Sequence, residues 1–273
     1  MAGKLTNRHQ HTDDLVSQGQ GREPIAILGV PVHNLTYEEA FDRLEAMIAT
    51  KRPHQIVTVN PEFLVIAQGN AEFYTVLRDA DLALADGVGL QLAAILQGRR
   101  FVSRVPGSEL VYRMAPIAAA RGWRLFFLGA GPGIAARAAR TLQTRYPNLQ
   151  IEVDDADPTP AGMSAAIAHI RAVCPDILLV AYGAPTQDLW IAHHGSAIGV
   201  PVMIGIGGTL DFLASATRRP PPIWHRLGLE WFYRLLQEPW RWRRQLRLPL
   251  FVLMVLYERL RAIRLDPRRW PRT

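Results

Sequence analysis

The chain has 273 residues, 49% of them hydrophobic, and carries 31 Lys and Arg against 24 Asp and Glu, a net charge of +7. This length and apolar fraction are sufficient for a large buried core, and they exclude a wholly disordered chain. A single cysteine, Cys174, excludes an internal disulfide framework and a zinc site built from cysteines, which favours a cytoplasmic protein.

Predicted strands and helices alternate along the chain after a polar segment, residues 1–23, which we expect to be disordered. Thr36 and Glu39 have the spacing of a capping box at the start of a helix, and Pro61 is typical of a first helical turn. The predicted strands are 25–29, 55–59, 82–85, 124–128, 150–153, 176–181 and 202–206. The predicted helices are 36–50, a segment opening at 61, 87–97, 108–121, 132–145, 164–173 and 186–194.

This alternation predicts an α/β fold with a mostly parallel sheet that is covered by helices on both faces. The pattern breaks at the Arg- and Pro-rich residues 218–222, so we predict an α/β domain at 24–217 and a helical appendage at 218–273. Cys174 precedes a proline at the end of a predicted helix, and we expect it to lie in the core.

The charge is concentrated in the appendage. Residues 218–273 hold 14 Arg, four Asp and Glu and five of the seven Trp, a net charge of +10, whereas the remainder has a net charge of −3. Such a segment predicts an anionic partner, either nucleic acid or a membrane surface. The apolar run 248–257 favours the membrane, because it is too short to span a bilayer but adequate for an interfacial helix. The structural alternative is a helix that packs on the body of the protein or on a second subunit.

Polar residues follow two of the predicted strands, at the sheet edge where parallel α/β proteins bind their ligands. Thr58 and Asn60 alternate with an apolar residue, so both side chains can face one crevice. Asp86 stands between an apolar strand and two glycines, a suitable place for a general base. The structural alternative is that Asn60 and Asp86 only cap the helices that follow them.

A glycine-rich turn follows the strand at 124–128. The amides of Gly129, Ala130 and Gly131 precede a helix, an arrangement that suits a phosphate group. The turn is similar to a dinucleotide-binding fingerprint, with Asp155 near the place of a ribose-binding carboxylate. An NAD(P)-dependent oxidoreductase is therefore an alternative, although it leaves the basic appendage unexplained. A tight strand-to-helix turn is the structural alternative.

Two further strand ends carry candidate ligand-binding residues. Gly183 and Gln187 follow one of them, and a glutamine amide can donate and accept hydrogen bonds toward a sugar or a base. Gly207 and Gly208 follow the other and leave room for close backbone approach, with Asp211 on the next turn. The Asp-x-Asp pairs 79/81 and 155/157 resemble turns more than metal sites, so we expect neither a metal nor a cofactor.

Eight motifs occur in the chain in this order: residues 27–32, 58–62, 85–89, 104–110, 127–130, 183–188, 207–211 and 228–231. Together they resemble the WecG/TagA/CpsF family of bacterial glycosyltransferases over residues 24–248. The resemblance implies a modified Rossmann-like fold with an arginine-rich C-terminal appendage. One departure is the stretch 154–158, where many members of the family have an aromatic, glycine-rich segment, so donor identity is left open.

The resemblance also implies an activity, the metal-free and inverting transfer of a sugar from a nucleotide diphosphate to a lipid-diphosphate-linked saccharide. The family's proposed base falls on Asp86. Its acceptor contacts fall on Thr58, Asn60 and Gln187, and its appendage arginines fall on Arg234, Arg241 and Arg244. We assign the nucleotide to the strand-end groups described above: Gly129, Ala130, Gly131, Gly183, Gly207, Gly208 and Asp211.

These observations predict a cytoplasmic enzyme attached peripherally to the inner face of the cell membrane. Its expected partners are a UDP-sugar, a polyprenyl-diphosphate-linked acceptor and an anionic membrane surface, in the biosynthesis of a surface polysaccharide. Nucleic acid is not an expected partner. The donor sugar, the acceptor saccharide and the number of copies in the assembly stay open.

Overall fold

The computed structural model describes residues 22–214 and 246–265. The strands in this part of the chain are β1 (Ile25–Ile27), β2 (Val30–Val32), β3 (His54–Val59), β4 (Leu82–Ala85), β5 (Arg124–Gly129), β6 (Gln150–Asp154), β7 (Ile177–Ala181) and β8 (Val202–Gly205). The helices are α1 (Tyr37–Thr50), α2 (Pro61–Gln68), α3 (Ala71–Arg78), α4 (Val88–Leu96), α5 (Gly107–Arg121), α6 (Ile134–Arg145), α7 (Pro160–Val173), α8 (Thr186–Ile198), α9 (Thr209–Leu213) and α10 (Arg247–Leu265).

Six strands form one parallel sheet in the order β4-β3-β8-β7-β5-β6. Alternate strand residues pack on opposite faces, as the period of two requires. One face is covered by α1, α5, α6 and α9, and the other by α2, α3, α4, α7, α8 and α10. The predicted α/β fold is therefore confirmed, and its apolar strands are buried because helices cover both of their faces.

Local signals in the sequence explain where the helices begin. The capping box predicted at α1 is confirmed: Glu39 N donates to Thr36 Oγ1 at 3.2 Å, and Thr36 N donates to Glu39 Oε2 at 2.8 Å. Asn60 and Asn70 cap α2 and α3 in the same manner, each accepting a bond from a backbone amide three residues later. These caps satisfy amides that the first turn of a helix leaves unpaired.

A short antiparallel hairpin, β1–β2, covers the β4 edge of the sheet. His33 N donates to Ala83 O at 2.8 Å, and His33 Nδ1 accepts from Ala83 N at 3.0 Å. Burial, together with the nearby charge of Arg43, lowers the pKa of His33 to about 4. The imidazole is therefore neutral at pH 7, which leaves Nδ1 able to accept this bond. The opposite edge of the sheet is β6.

The expectation for Cys174 is wrong. This residue is exposed and ends α7 in the left-handed conformation, with φ of 49°. A helix C-terminus of this kind lies at the surface, so the thiol is not part of the core. Arg22, within the segment predicted to be disordered, pairs with Glu39 at 2.9 Å. The predicted boundary at residue 218 lies outside the described residues.

None of the helices described at 22–214 and 246–265 combines the length and the apolar character that crossing a bilayer requires.

Candidate active site

The carboxyl ends of the six strands meet along one edge of the sheet, and the candidate residues follow them. From β7 the chain passes to β8, whereas from β5 it passes to β6 on the other side, so the direction of the connections reverses between neighbouring β7 and β5. Such a reversal opens a crevice for ligands. The β4 end lies four strand spacings from β5, roughly 19 Å away, and the intervening edge forms the floor of an elongated site.

Asp86 is half-buried and directly follows β4. Its amide donates to Val59 O at 2.7 Å, which fixes this residue beside the end of β3. The N-cap of α4 is Gly87, with φ of 96° and no side chain. The alternative in which Asp86 caps a helix is therefore wrong, because the cap position belongs to the next residue.

A cluster of three side chains, of which Tyr37 lies within electrostatic range of Asp86, was not anticipated from the sequence. The Arg113 guanidinium lies 4.0 Å from the centre of the Tyr37 ring and donates to Glu109 Oε1 at 2.9 and 2.8 Å. Burial raises the pKa of the Tyr37 hydroxyl far above its usual range, and the negative charges of Glu109 and, more weakly, Asp86 act in the same direction. Tyr37 thus keeps its proton. These residues come from α1 and α5, and no local pattern in the sequence indicates that they come together.

Thr58 and Asn60 both lie at the end of β3, next to Asp86. Thr58 is buried, and its Oγ1 donates to Gly205 O at 3.5 Å. Gly107, the first residue of α5, passes so close that a Cβ there would lie 3.2 Å from Thr58 Cγ2. Asn60 Oδ1 accepts a hydrogen bond from Phe63 N at 3.0 Å. The Asn60 side chain therefore caps α2, as the structural alternative predicts.

Gln187 is buried, with 1% of its side chain exposed. Its Oε1 accepts from Gly207 N at 2.9 Å, so the side chain ties the start of α8 to the turn that follows β8. Gly183, at φ of 78°, precedes α8, and Gly208 is the N-cap of α9. In this structure Gln187 shapes the turn that carries the predicted nucleotide-binding glycines. Asp211 is half-buried in the first turn of α9.

Asp188 is a buried acid that the sequence reasoning missed. It is fully buried, and neither carboxylate oxygen has a hydrogen-bond partner among the described residues. Burial raises the pKa of Asp188 to about 7 and outweighs the Gln187 side chain and the Asp188 amide, which act in the opposite direction. A Cβ on Gly205 would lie 2.6 Å from Asp188 Oδ1 and 2.5 Å from Gln187 Nε2, so this glycine leaves the room that both side chains occupy.

The glycine-rich turn between β5 and α6 adopts left-handed conformations at Gly129 and Ala130, with φ of 86° and 71°. A Cβ on Gly129 would lie 2.6 Å from the Tyr182 ring, so only glycine fits beside this aromatic side chain. Gly133 N donates to Asp155 Oδ2 at 2.9 Å. The carboxylate of Asp155 is therefore bound to the backbone amide of the N-cap of α6. Gly131 lies two residues before this N-cap, in the turn itself.

Each of the four aspartates of the two Asp-x-Asp pairs is engaged in a contact within the protein. Asp79 pairs with Arg78, Asp81 accepts from Gln55 N, Asp155 binds the glycine-rich turn, and Asp157 accepts from Thr159. Within residues 22–214 and 246–265, no three His, Cys, Asp or Glu side chains are grouped in a way that could hold a metal ion.

Helix α10 lies directly beside this end of the site. Arg247 forms an ion pair with Glu62 on α2, two residues after Asn60. A Cβ on Gly89, in the first turn of α4, would lie 3.6 Å from the Phe251 ring. Nothing in the sequence signals either long-range contact. The predicted appendage residues Arg234, Arg241 and Arg244 lie outside the described residues.

Comparisons with known proteins agree with the resemblance. The model of the "Glycosyl transferase WecG/TagA/CpsF family" matches residues 25–265. A protein of Bacillus subtilis is 30% identical over 233 residues, covering 83% of this chain and 91% of its own. One from Bacillus spizizenii is 34% identical and covers 76% and 80%, and one from Staphylococcus aureus MW2 is 30% identical and covers 88% and 95%. All three are named N-acetylglucosaminyldiphosphoundecaprenol N-acetyl-beta-D-mannosaminyltransferase.

Proposed function

The chain belongs to the WecG/TagA/CpsF family of glycosyltransferases, and from this we propose that it transfers a sugar from a UDP-sugar to a saccharide linked to a polyprenyl diphosphate. The family assignment argues against the NAD(P)-dependent oxidoreductase. The observation that carries the proposed mechanism is the place of Asp86, a half-buried carboxylate at the end of β4 that α4 does not use as its cap.

The proposed reaction is a single displacement with Asp86 as the general base. The Asp86 carboxylate takes the proton of the acceptor hydroxyl while that oxygen forms a bond to the anomeric carbon. The bond from the anomeric carbon to the UDP oxygen breaks, and UDP leaves with the electron pair. Attack from the face opposite UDP inverts the anomeric centre, and one carboxylate is sufficient for this chemistry.

The departing diphosphate requires groups that stabilise its negative charge. The Gly129–Gly131 turn before α6 supports this role, because backbone amides at a helix start attract anions. The amide of Gly133, the N-cap of α6, is already bound to Asp155, so the turn itself is the part assigned to the diphosphate. Arg234, Arg241 and Arg244 are the further candidates, since a guanidinium can pair with two phosphate oxygens. The mechanism as proposed needs no metal.

On the acceptor side, Thr58 and Asn60 are supported by their position one strand from Asp86. Gln187 contributes by fixing Gly207 and with it the turn beside them. An acceptor with a polyprenyl chain resides in a bilayer, so the enzyme is expected to work peripherally at the inner membrane surface.

The proposed function is tested by UDP release from a panel of UDP-sugars, in EDTA, with lipid-diphosphate sugars as acceptors. The names of the relatives put UDP-N-acetylmannosamine and an N-acetylglucosaminyl diphospholipid first in the panel. We expect release that requires both one donor and the lipid acceptor. Release that occurs only after a divalent metal is added would contradict the metal-free mechanism, and the absence of release with every donor would overturn the function.

Asp86→Asn tests the base. The amide keeps the size of the side chain but cannot accept the proton, so the transfer rate should fall by roughly 10²–10⁴. The matched control is Asp79→Asn, the same change at the opposite end of β4, where the carboxylate pairs with Arg78. The control should retain the wild-type rate. Equal rates in the two variants would remove Asp86 from the mechanism.

A further inference from the structure

The large hydrophobic side chains that are exposed in the described residues are confined to two parts of the chain, α4 with the loop after it and α10 with the residue before it. We call this set the apolar face. Its members are Leu92, Ile95, Leu96, Val102, Leu246, Leu250, Val252, Leu253, Leu256, Tyr257 and Leu260. Exposed apolar side chains scattered singly need no explanation, but a contiguous set marks a binding surface.

Helix α10 is apolar on both of its sides. Phe251 and Val255 are buried against the body of the protein. On the outward side, Leu253 and Tyr257 are 64% and 68% exposed, and Leu260 continues the same stripe one turn later. A surface helix of a globular protein is polar on its outer side, whereas a helix that is apolar all round borders a second apolar phase.

Helix α4 belongs to the catalytic domain but shows the same feature. Leu90, Ala93 and Ala94 are buried, while Leu92 and Ile95 point away from the core, 55% and 49% exposed. Because Phe251 of α10 packs at Gly89 in the first turn of α4, the two helices are in contact, and each of them carries exposed apolar residues. The apolar face is thus shared by the domain and the appendage.

Positive charge borders this face. Arg100, after α4, and Arg259 and Arg261, on α10, are exposed. The acidic residue in the described part of α10 is Glu258. Its carboxylate accepts a hydrogen bond from Leu28 N at 3.4 Å, so it faces the body of the protein and not the exposed side of the helix. An apolar surface bordered by arginines is complementary to a bilayer with anionic headgroups, because the apolar side chains enter the interface and the cations are attracted to the headgroups.

We propose that the apolar face docks onto an anionic lipid bilayer, with α4 of the catalytic domain and α10 entering the headgroup region together. This proposal rests on the proposed function, because it gives the bilayer that holds the lipid-linked acceptor as the binding partner of the surface beside the candidate active site. Helix α4 begins two residues after Asp86, so docking through α4 brings the crevice to the bilayer surface, where a lipid-linked acceptor presents its sugar.

A second copy of this chain is the competing occupant. A two-fold symmetric contact through the apolar face would bring the bordering arginines of the two copies toward each other, and like charges then oppose the contact. Anionic headgroups remove this repulsion. The charge therefore favours the bilayer.

The experiment is flotation of the full chain with vesicles of phosphatidylcholine, with and without phosphatidylglycerol. Two variants place acids on the exposed face, Leu92→Glu/Ile95→Glu on α4 and Leu253→Glu/Leu256→Glu on α10. The control, Thr141→Glu/Thr144→Glu, adds the same two charges at exposed positions of α6, on the opposite face of the sheet. Circular dichroism and thermal melting test whether each variant is folded. We expect all of them to fold, because the six substituted positions are exposed.

We expect the wild type and the control to float with the anionic vesicles. The double variant on α4 and the double variant on α10 should each bind these vesicles at least about tenfold more weakly than the wild type. Undiminished binding by the α4 pair would overturn the shared face, even if the α10 pair loses binding. Sedimentation tests the other occupant: a wild-type dimer that the α4 pair converts to monomer, with vesicle binding retained, would assign the face to a second copy. The vesicles contain neither donor nor acceptor, so the outcome does not depend on the proposed transfer reaction.

Discussion

Asp188 connects the folding of the site to pH. Its folded-state pKa of about 7 lies above the ordinary value of 3.8, so between these values the folded protein holds a proton that the unfolded chain has lost. The stability contributed by this proton is complete below about pH 4 and is lost as the pH rises to about 7. A buried carboxylate whose pKa is raised by burial gives the opposite pH dependence to the usual ion-paired aspartate.

Asp188→Asn should remove this dependence, because an amide does not ionise. From about pH 4 to about pH 8, the free energy of unfolding should fall by on the order of 2–4 kcal/mol more in the wild type than in the variant. Urea denaturation at a series of pH values measures the difference. The control is Asp157→Asn, whose exposed carboxylate has a lowered pKa and which should not flatten the curve. Parallel curves for wild type and Asp188→Asn would contradict the assignment.

At the scale of residues, the sequence predicts groups whose signal is local. Thr58, Asn60 and Asp86 each lie at the carboxyl end of an apolar strand, and ligands bind at this edge of a parallel sheet. Asp188 could not be predicted in this way, because an acid in a first helical turn is ordinarily exposed and favourable to the helix dipole. The burial of Asp188 on α8 depends on Gly205, which lies on β8 and has no side chain to fill the space.

At the scale of elements, the junction of β8, α8 and α9 is held by a close approach. Gly205→Ala would put a methyl group 2.5 Å from Gln187 Nε2 and should destabilise the protein by about 1–3 kcal/mol through overpacking. Gly69→Ala is the control, because a Cβ there meets its nearest atom at 3.8 Å. Chemical denaturation measures both. Equal free energies of unfolding for the two variants would mean that the side chains around Gly205 shift to accommodate a methyl group without loss of stability.

Most elements of the sheet were predicted because each is an apolar run of strand length, and β4 was predicted with its observed bounds. The strand β2 was missed, since three residues that include Pro31 carry too little pattern. The helix α3 was missed as well, because Asn70 interrupts the helical run, and its role as a new cap emerges only with the structure. Pairing order between strands has no local signal at all.

At the scale of the whole molecule, α10 is joined to residues far away in the sequence by Phe251 and Arg247. Phe251→Ala should weaken the contact of α10 with the body by about 3–5 kcal/mol and thereby increase local opening. Trypsin should then cleave faster after Arg259 or Arg261, both exposed on this helix. Val252→Ala, at the exposed neighbouring position, is the control. Cleavage at the same rate in both variants would show that Phe251 does not hold α10.

The two edges of the sheet bear on how the protein survives at high concentration. An uncovered edge strand offers free amides and carbonyls to other chains and so seeds aggregation. Here the β4 edge is closed by the hairpin through His33, and the opposite edge, β6, has Gln150 and Glu152 exposed in alternation. Polar and acidic side chains there disfavour the strand-to-strand stacking that leads to fibrils. The protein can therefore reach a high local concentration without its sheet becoming a template for polymerisation.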